Sequence, residues 1–326
     1  MKNKKSWQVF FKKVRWVIAP FLLSSCEKLE VLNSHGTVGQ QESFLIKLSL
    51  ALMLIVVIPV FIMVFWFAVR YRASNKKATY KPKWGHSNLI EALVWGVPIL
   101  IIIILSYLTW TKTIELDPYK PLKSEKKPIQ VEVISTDWNW LFIYPDYNIA
   151  VVNQLVFPEK TPVKFRLTSA SVMSSFFIPQ LGSQIYAMAG MQTKLNLMAN
   201  QTNVYTGQNQ EYSGNGYARM RFKAISTTRE EFDEWVKKAQ SAPMALTKAQ
   251  FDSLKIPHTN NPVTLYSSVA TGLFDQVKGE FMDWMNNSEK HKLHMKMDSM
   301  PSYQKHKEME MMHQESAVDT FKMEEK

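Results

Sequence analysis

The side chains able to do chemistry are few and unevenly placed. The chain has 326 residues, with one cysteine, Cys26, and seven histidines. His35 and His86 lie near long apolar runs. His258 is the only histidine between residues 112 and 285, and His291, His294, His306 and His313 fall in the tail. A stretch without cysteine has no thiolate for a soft-metal centre, and one imidazole is too few for a copper electron-transfer site. Glu91 stands at the start of an apolar run, where a carboxylate is costly unless solvated or paired. Its residue context leaves two readings, a proton-handling group or an interfacial glutamate solvated by headgroups and nearby lysines. Trp138 and Trp140 read as packing residues, with docking as the other choice.

Cys26 follows Lys2, Lys4, Lys5, Lys12, Lys13 and Arg15, then a short apolar stretch at 16–23 and the string LSS at 23–25. That order reads as a bacterial secretory signal over 1–25. The small residues before the cysteine resemble a lipobox, at which Cys26 is lipidated and begins the mature chain. A lone thiol in an exported chain has no internal disulfide partner, which favours this use over an incidental cysteine. The formal charge of +11 rests on these six basic residues and on six more between 70 and 83, where no acid intervenes. The rest of the chain is slightly acidic, so the basicity belongs to targeting and topology, and a nucleic-acid partner is excluded.

The elements that position these residues divide the chain. Residues 48–69 and 92–111 carry no charge, and each reaches the roughly 20 apolar residues needed to cross a bilayer. Pro59 and Pro98 are tolerable there. Trp66, Trp84, Trp95 and Trp110 lie near the span ends, as in aromatic belts. The basic loop between the spans is expected in the cytoplasm and both flanks outside, which agrees with lipidation at Cys26. From about Pro128 the pattern changes to short β-branched and aromatic runs, at 131–134, 138–144, 163–167, 194–198 and 217–222. Turn residues separate them, which predicts a β-sandwich or barrel. Thr228 and Glu231 form a capping-box pattern at the start of one helix. Thr247 starts a second helix, and 265–285 read as a third. The tail from Asn286 is polar and reads as disordered. It also holds Met295, Met297, Met300, Met309, Met311 and Met312, a Met/His mixture of the kind that binds copper weakly.

Four strings in order resemble subunit II of the haem–copper oxidases: NLIEALVWGVP at 88–98, DWNW at 137–140, VMSSFFIPQLGSQ at 172–184 and YSGNGYARM at 212–220. The resemblance is nearest the quinol-oxidising branch and covers about residues 20–285. It implies a membrane α-helical hairpin carrying an all-β cupredoxin-like Greek-key barrel with C-terminal helices. The resulting division is a signal peptide 1–25 and a lipidated N-terminus with hairpin 26–117 (helices about 45–69 and 90–112). An exported domain 118–226, a helical extension 227–285 and a tail 286–326 follow.

The cytochrome c branch carries a dinuclear copper centre whose first histidine falls in a VIHSF string. Here that string is VMSSF, so Ser174 stands at the histidine position. The two family cysteines map near Gly216 and Met220, and the later histidine near Ala224. The exported domain is therefore expected to hold no metal, and the methionines Met173, Met188, Met191 and Met220 to fill the core. The resemblance implies a non-catalytic subunit of a proton-translocating quinol oxidase. Haems and copper would sit on subunit I, with small subunits III and IV and membrane lipid as partners and no cytochrome c. It also implies that Glu91 lies at the mouth of a proton-uptake channel in subunit I. Two other readings remain: a cytochrome c oxidase subunit II with a degenerate copper site, and a membrane-tethered binding or assembly lipoprotein.

Overall fold

The computed structural model describes residues 29–76, 78–79, 84–259 and 262–282. Cys26, the signal segment and the Met/His tail lie outside the described residues. Two long helices come first, α1 (Thr37–Arg70) and α2 (Asn88–Glu115). Both are long and apolar enough to cross a membrane. Most side chains along their charge-free stretches are exposed, which suits helices whose solvent is hydrocarbon. Each outruns its charge-free stretch. In α1 the residues 37–47 add roughly 16 Å of helix, and their far end meets the β-domain.

Strands follow in the order β1 (Ile129–Thr136), β2 (Asn139–Tyr144), β3 (Ile149–Val152), β4 (Gln154–Pro158), β5 (Val163–Ser169) and β6 (Ser174–Ile178). Next come β7 (Gly182–Ala187), β8 (Thr193–Leu197), β9 (Asn203–Asn209) and β10 (Arg221–Thr227). Helices α3 (Arg229–Gln240) and α4 (Lys248–Leu254) precede a short strand, β11 (Thr264–Tyr266), and residues 273–282 are again helical. The strands form two sheets, one ordered β11-β3-β2-β1-β5-β8 and the other β4-β10-β9-β6-β7. β1 pairs parallel with β5 and β10 parallel with β4, while the other pairs of named strands are antiparallel. Such crossed pairings are how a Greek-key sandwich closes on itself.

Alternation along the strands sends Val131, Val133, Trp140, Phe142, Phe165, Phe176 and Phe222 into the space between the sheets. Opposite residues, Ile134, Leu141, Ile143, Ala150 and Val152, face the other way and are also buried. Phe251, Tyr266, Leu273, Phe274 and Val277 from the C-terminal elements cover them. This explains why every residue of β2 is buried.

Two local expectations fail. Residues 264–266 are a strand, because Leu265 pairs with Val151 on β3, and the helix begins only at 273. Residues Tyr217–Arg219 form a 3-10 turn, so β10 starts at Arg221 rather than at Tyr217. The capping box is present: Thr228 Oγ1 accepts from Glu231 N and Glu231 returns the bond to Thr228 N. Thr247 likewise caps α4, accepting from Gln250 N.

The barrel sits on the end of the hairpin where α1 starts and α2 stops. Gly36 bridges Ala199, and Gly39 N donates to Leu181 O at 2.9 Å. Gly182, at φ 141°, lets the β6–β7 turn approach Val38 closely. In the segment leaving α2, Pro118 O accepts from both Asn196 N and Asn196 Nδ2.

Candidate functional site

Three segments converge at one end of the barrel: the 137–138 turn of the β1–β2 hairpin, the start of β6, and the 211–220 loop before β10. Ser174 opens β6 with 1 % of its surface exposed. Met220 is equally buried, at the end of the loop. Behind them Phe176 stacks on Phe222 at 5.2 Å, and Trp140 meets both rings edge-on at 5.3 and 5.9 Å. Offset and edge-on pairs of this kind add to the burial energy of the rings.

Trp138 caps the loop from outside. Its φ of 72° is left-handed, unusual for a bulky residue. The two-residue turn demands the conformation, and Trp138 Nε1 donates to Ser213 O at 2.9 Å. The ring lies over the loop glycines. A Cβ at Gly216 would overlap Trp138 Cδ2, Cε3 and Cγ, so only glycine fits beneath it. Trp140, by contrast, is wholly interior.

Asn209 ties the segments together. Its Oδ1 accepts from Ser175 N at 2.7 Å and from Glu211 N at 3.0 Å. Its Nδ2 donates to Glu211 O at 2.8 Å and to Ser213 Oγ at 3.0 Å. One buried amide thus fills its hydrogen-bonding capacity by joining β6 to the loop.

These residues do not fit a dinuclear copper centre. A serine hydroxyl, a glycine backbone and a thioether offer neither the thiolates nor the imidazoles that such a site needs. Among the described residues no group of three or more His, Cys, Asp or Glu side chains is placed to hold a metal. The methionines divide: Met220 fills the core as expected, but Met191 is 53 % exposed and Met173 40 %. The latter two sit on loops flanking the barrel end, where no facing sheet covers them.

Glu91 lies far away at the loop end of the hairpin, in the first turn of α2. Its Oε1 is 2.6 Å from His86 Nδ1, and both side chains are exposed. His86 was not singled out as its partner from the sequence, although it stands five residues ahead of Glu91 beside the N-cap Ser87. A first-turn carboxylate is favoured by the helix dipole.

A helical hairpin beneath a two-sheet Greek-key barrel with C-terminal helices is the architecture of the subunit II class of terminal oxidases. The family model described as Cytochrome C oxidase subunit II, periplasmic domain matches residues 147–226, and the COX Aromatic Rich Motif matches 240–285. The chain is 52 % identical over 268 residues to the cytochrome bo(3) ubiquinol oxidase subunit 2 of Pseudomonas aeruginosa, covering 82 % of this chain and 81 % of that one. The ubiquinol oxidase subunit 2 of Acetobacter aceti is 45 % identical over 287 residues, 87 % of this chain and 92 % of that one. The protein of the same name as the first from Buchnera aphidicola subsp. Baizongia pistaciae is 46 % identical over 275 residues, 82 % and 96 % of the two chains. The chain belongs to the ubiquinol oxidase subunit 2 family.

Proposed function

We propose that this chain is the non-catalytic subunit II of a proton-translocating oxidase that carries electrons from ubiquinol to O2 in the bacterial inner membrane. The observation that carries the reading is the packing of the barrel end. Ser174, Gly216 and Met220 sit in a packed, hydrogen-bonded barrel end that has no thiolate to relay electrons from a soluble cytochrome. A lipid-phase donor removes the need for that relay. Haems, copper and the quinol site then belong to subunit I, with small subunits III and IV completing the complex.

The basic loop is cytoplasmic and the barrel exported in this reading. Its companion is lipidation at Cys26, after removal of 1–25. The path of the chain supports that anchor. Leu32 O accepts from Ser43 Oγ at 3.0 Å and from Lys47 Nζ at 3.3 Å. The chain ahead of α1 therefore doubles back down the helix to the start of the charge-free run. Leu29, the first described residue, is three residues from Cys26, a gap of about 10 Å at full extension. Glu91, paired with His86 on the cytoplasmic side, supplies protons to subunit I. Trp138 and Trp140 act by packing, the first over the loop and the second in the core.

Purification in a mild detergent tests the whole. Expected are a co-purifying haem-bearing large subunit and oxygen uptake driven by ubiquinol. Uptake driven by reduced cytochrome c and not by quinol, or a preparation free of haem, would overturn the proposal.

A further inference from the structure

A cleft runs from the barrel down between the two helices. Its upper part, about 270 Å³, lies between the first turn of α1, the segment leaving α2 and the edge of β7 and β8. Gln41, Asp117, Lys120, Lys123 and Asn196 give it polar walls. Its lower part, about 400 Å³, is lined by Leu45, Leu105, Leu108 and Leu116 together with Lys112 and three hydroxyl side chains. Leu116, Asp117 and Pro118 line both parts, so the two adjoin.

The change in lining coincides with the membrane boundary. The charge-free stretch of α2 ends at Thr111 and that of α1 begins at Leu48. Leu105 and Leu108 therefore lie within hydrocarbon depth, while Gln41 and Lys112 sit level with the headgroups. Lys112 Nζ spans the cleft, 3.1 Å from Gln41 Oε1 and 2.5 Å from Glu115 Oε2. That pair neutralises itself. No ion pair among the described residues involves Lys120 or Lys123. Counted over both parts, Lys112, Lys120 and Lys123 against Glu115 and Asp117 leave the cleft one net positive charge, which matches one phosphodiester.

We infer that this cleft is a site for one outer-leaflet glycerophospholipid, its phosphate held by Lys120 and Lys123 and an acyl chain laid between Leu45 and Leu108. The inference rests on the topology proposed above. A neighbouring subunit's helix could lie along the lower groove, but the chain's own residues 115–123 and the barrel roof the upper chamber. A phosphate head on a narrow apolar tail fits both compartments.

The test is native mass spectrometry of the intact oxidase after stepwise delipidation in detergent, with the haem spectrum confirming assembly. One phospholipid per complex should persist. It should fall roughly tenfold or more in a Lys120→Gln/Lys123→Gln variant, given the attraction of each lysine for an anionic headgroup. Ser49→Phe, which narrows the lower groove, should displace it as well. Loss of assembly would indict the proposed function instead. An assembled complex that retains no phospholipid, retains the same amount in both variants, or holds quinone there would overturn the site.

Discussion

The ring of Trp138 occupies the space that a side chain at Gly216 would need, so the turn after β1 and the loop before β10 are interlocked. Gly216 itself has an ordinary φ of −93°, and the requirement for glycine is purely steric. Gly216→Cys would have to expel the Trp138 ring and break its bond to Ser213. The expected cost is about 1–3 kcal/mol, the range for inserting atoms into a packed site. A red shift of tryptophan fluorescence and a lower unfolding midpoint should report it, and an unshifted spectrum would show that the ring is not where the packing is set.

Asn209→Ala removes four hydrogen bonds at a position only 6 % exposed. Buried partners left unpaired cost about 1–3 kcal/mol. Amide exchange at Ser175 and Glu211, whose N–H groups donate to Asn209, should accelerate well before the rest of the barrel opens. Uniform exchange across the domain would contradict a local tether.

Arg166 joins the C-terminal extension to the sheet. It bonds Glu132 Oε1 at 2.7 Å and Asp275 Oδ1 at 3.3 Å, and lies over the Phe274 ring. Burial raises the Glu132 carboxyl above its usual range despite Arg166, while a hydrogen bond from Lys278, with help from Arg166, lowers that of Asp275. The two act in opposite directions. Glu132 favours folding below its ordinary value of 4.5, an advantage lost as pH rises through the raised folded value. Asp275 favours folding above 3.8, lost as pH falls through the lowered value. Thermal unfolding of Glu132→Gln should therefore lose the decline that sets in as pH rises above 4.5, and Asp275→Asn the decline as pH falls below 3.8. Unchanged profiles would refute this account of the latch.

Glu91→Gln should slow oxygen reduction in the intact complex by roughly 10²-fold, the scale of a lost proton-transfer group, with assembly unaffected. His86→Gln should produce a smaller loss, because His86 is the group bonded to Glu91. Wild-type turnover in Glu91→Gln would remove it from the proton path.

The sequence displays its membrane spans as charge-free runs and its capped helices as local side-chain spacing, since both are governed by neighbours in the chain. The ends of α1 are different. Residues 37–47 are polar enough to read as a flank, and their helical state follows from contacts with Leu181 and Ala199, more than 130 residues away. The same holds for β11, three residues long, which is a strand because β3 offers an edge. At the barrel end the missing cysteines were plain to read. The reason for glycine at 216 was not, because it depends on a left-handed Trp138 arriving from another hairpin. Nor did spacing distinguish buried Met220 from the exposed Met173 and Met191.

The outer face of the six-stranded sheet is sealed only by residues that come last. Ile134, Leu141 and Ile143 are synthesised more than 100 residues ahead of Phe251 and Phe274, which cover them. Until the extension arrives, an apolar sheet face stands bare at the membrane surface. The barrel's maturation is thereby coupled to completion of the C-terminal extension, and a product cut short at residue 240 would present to quality-control proteases the apolar surface they recognise.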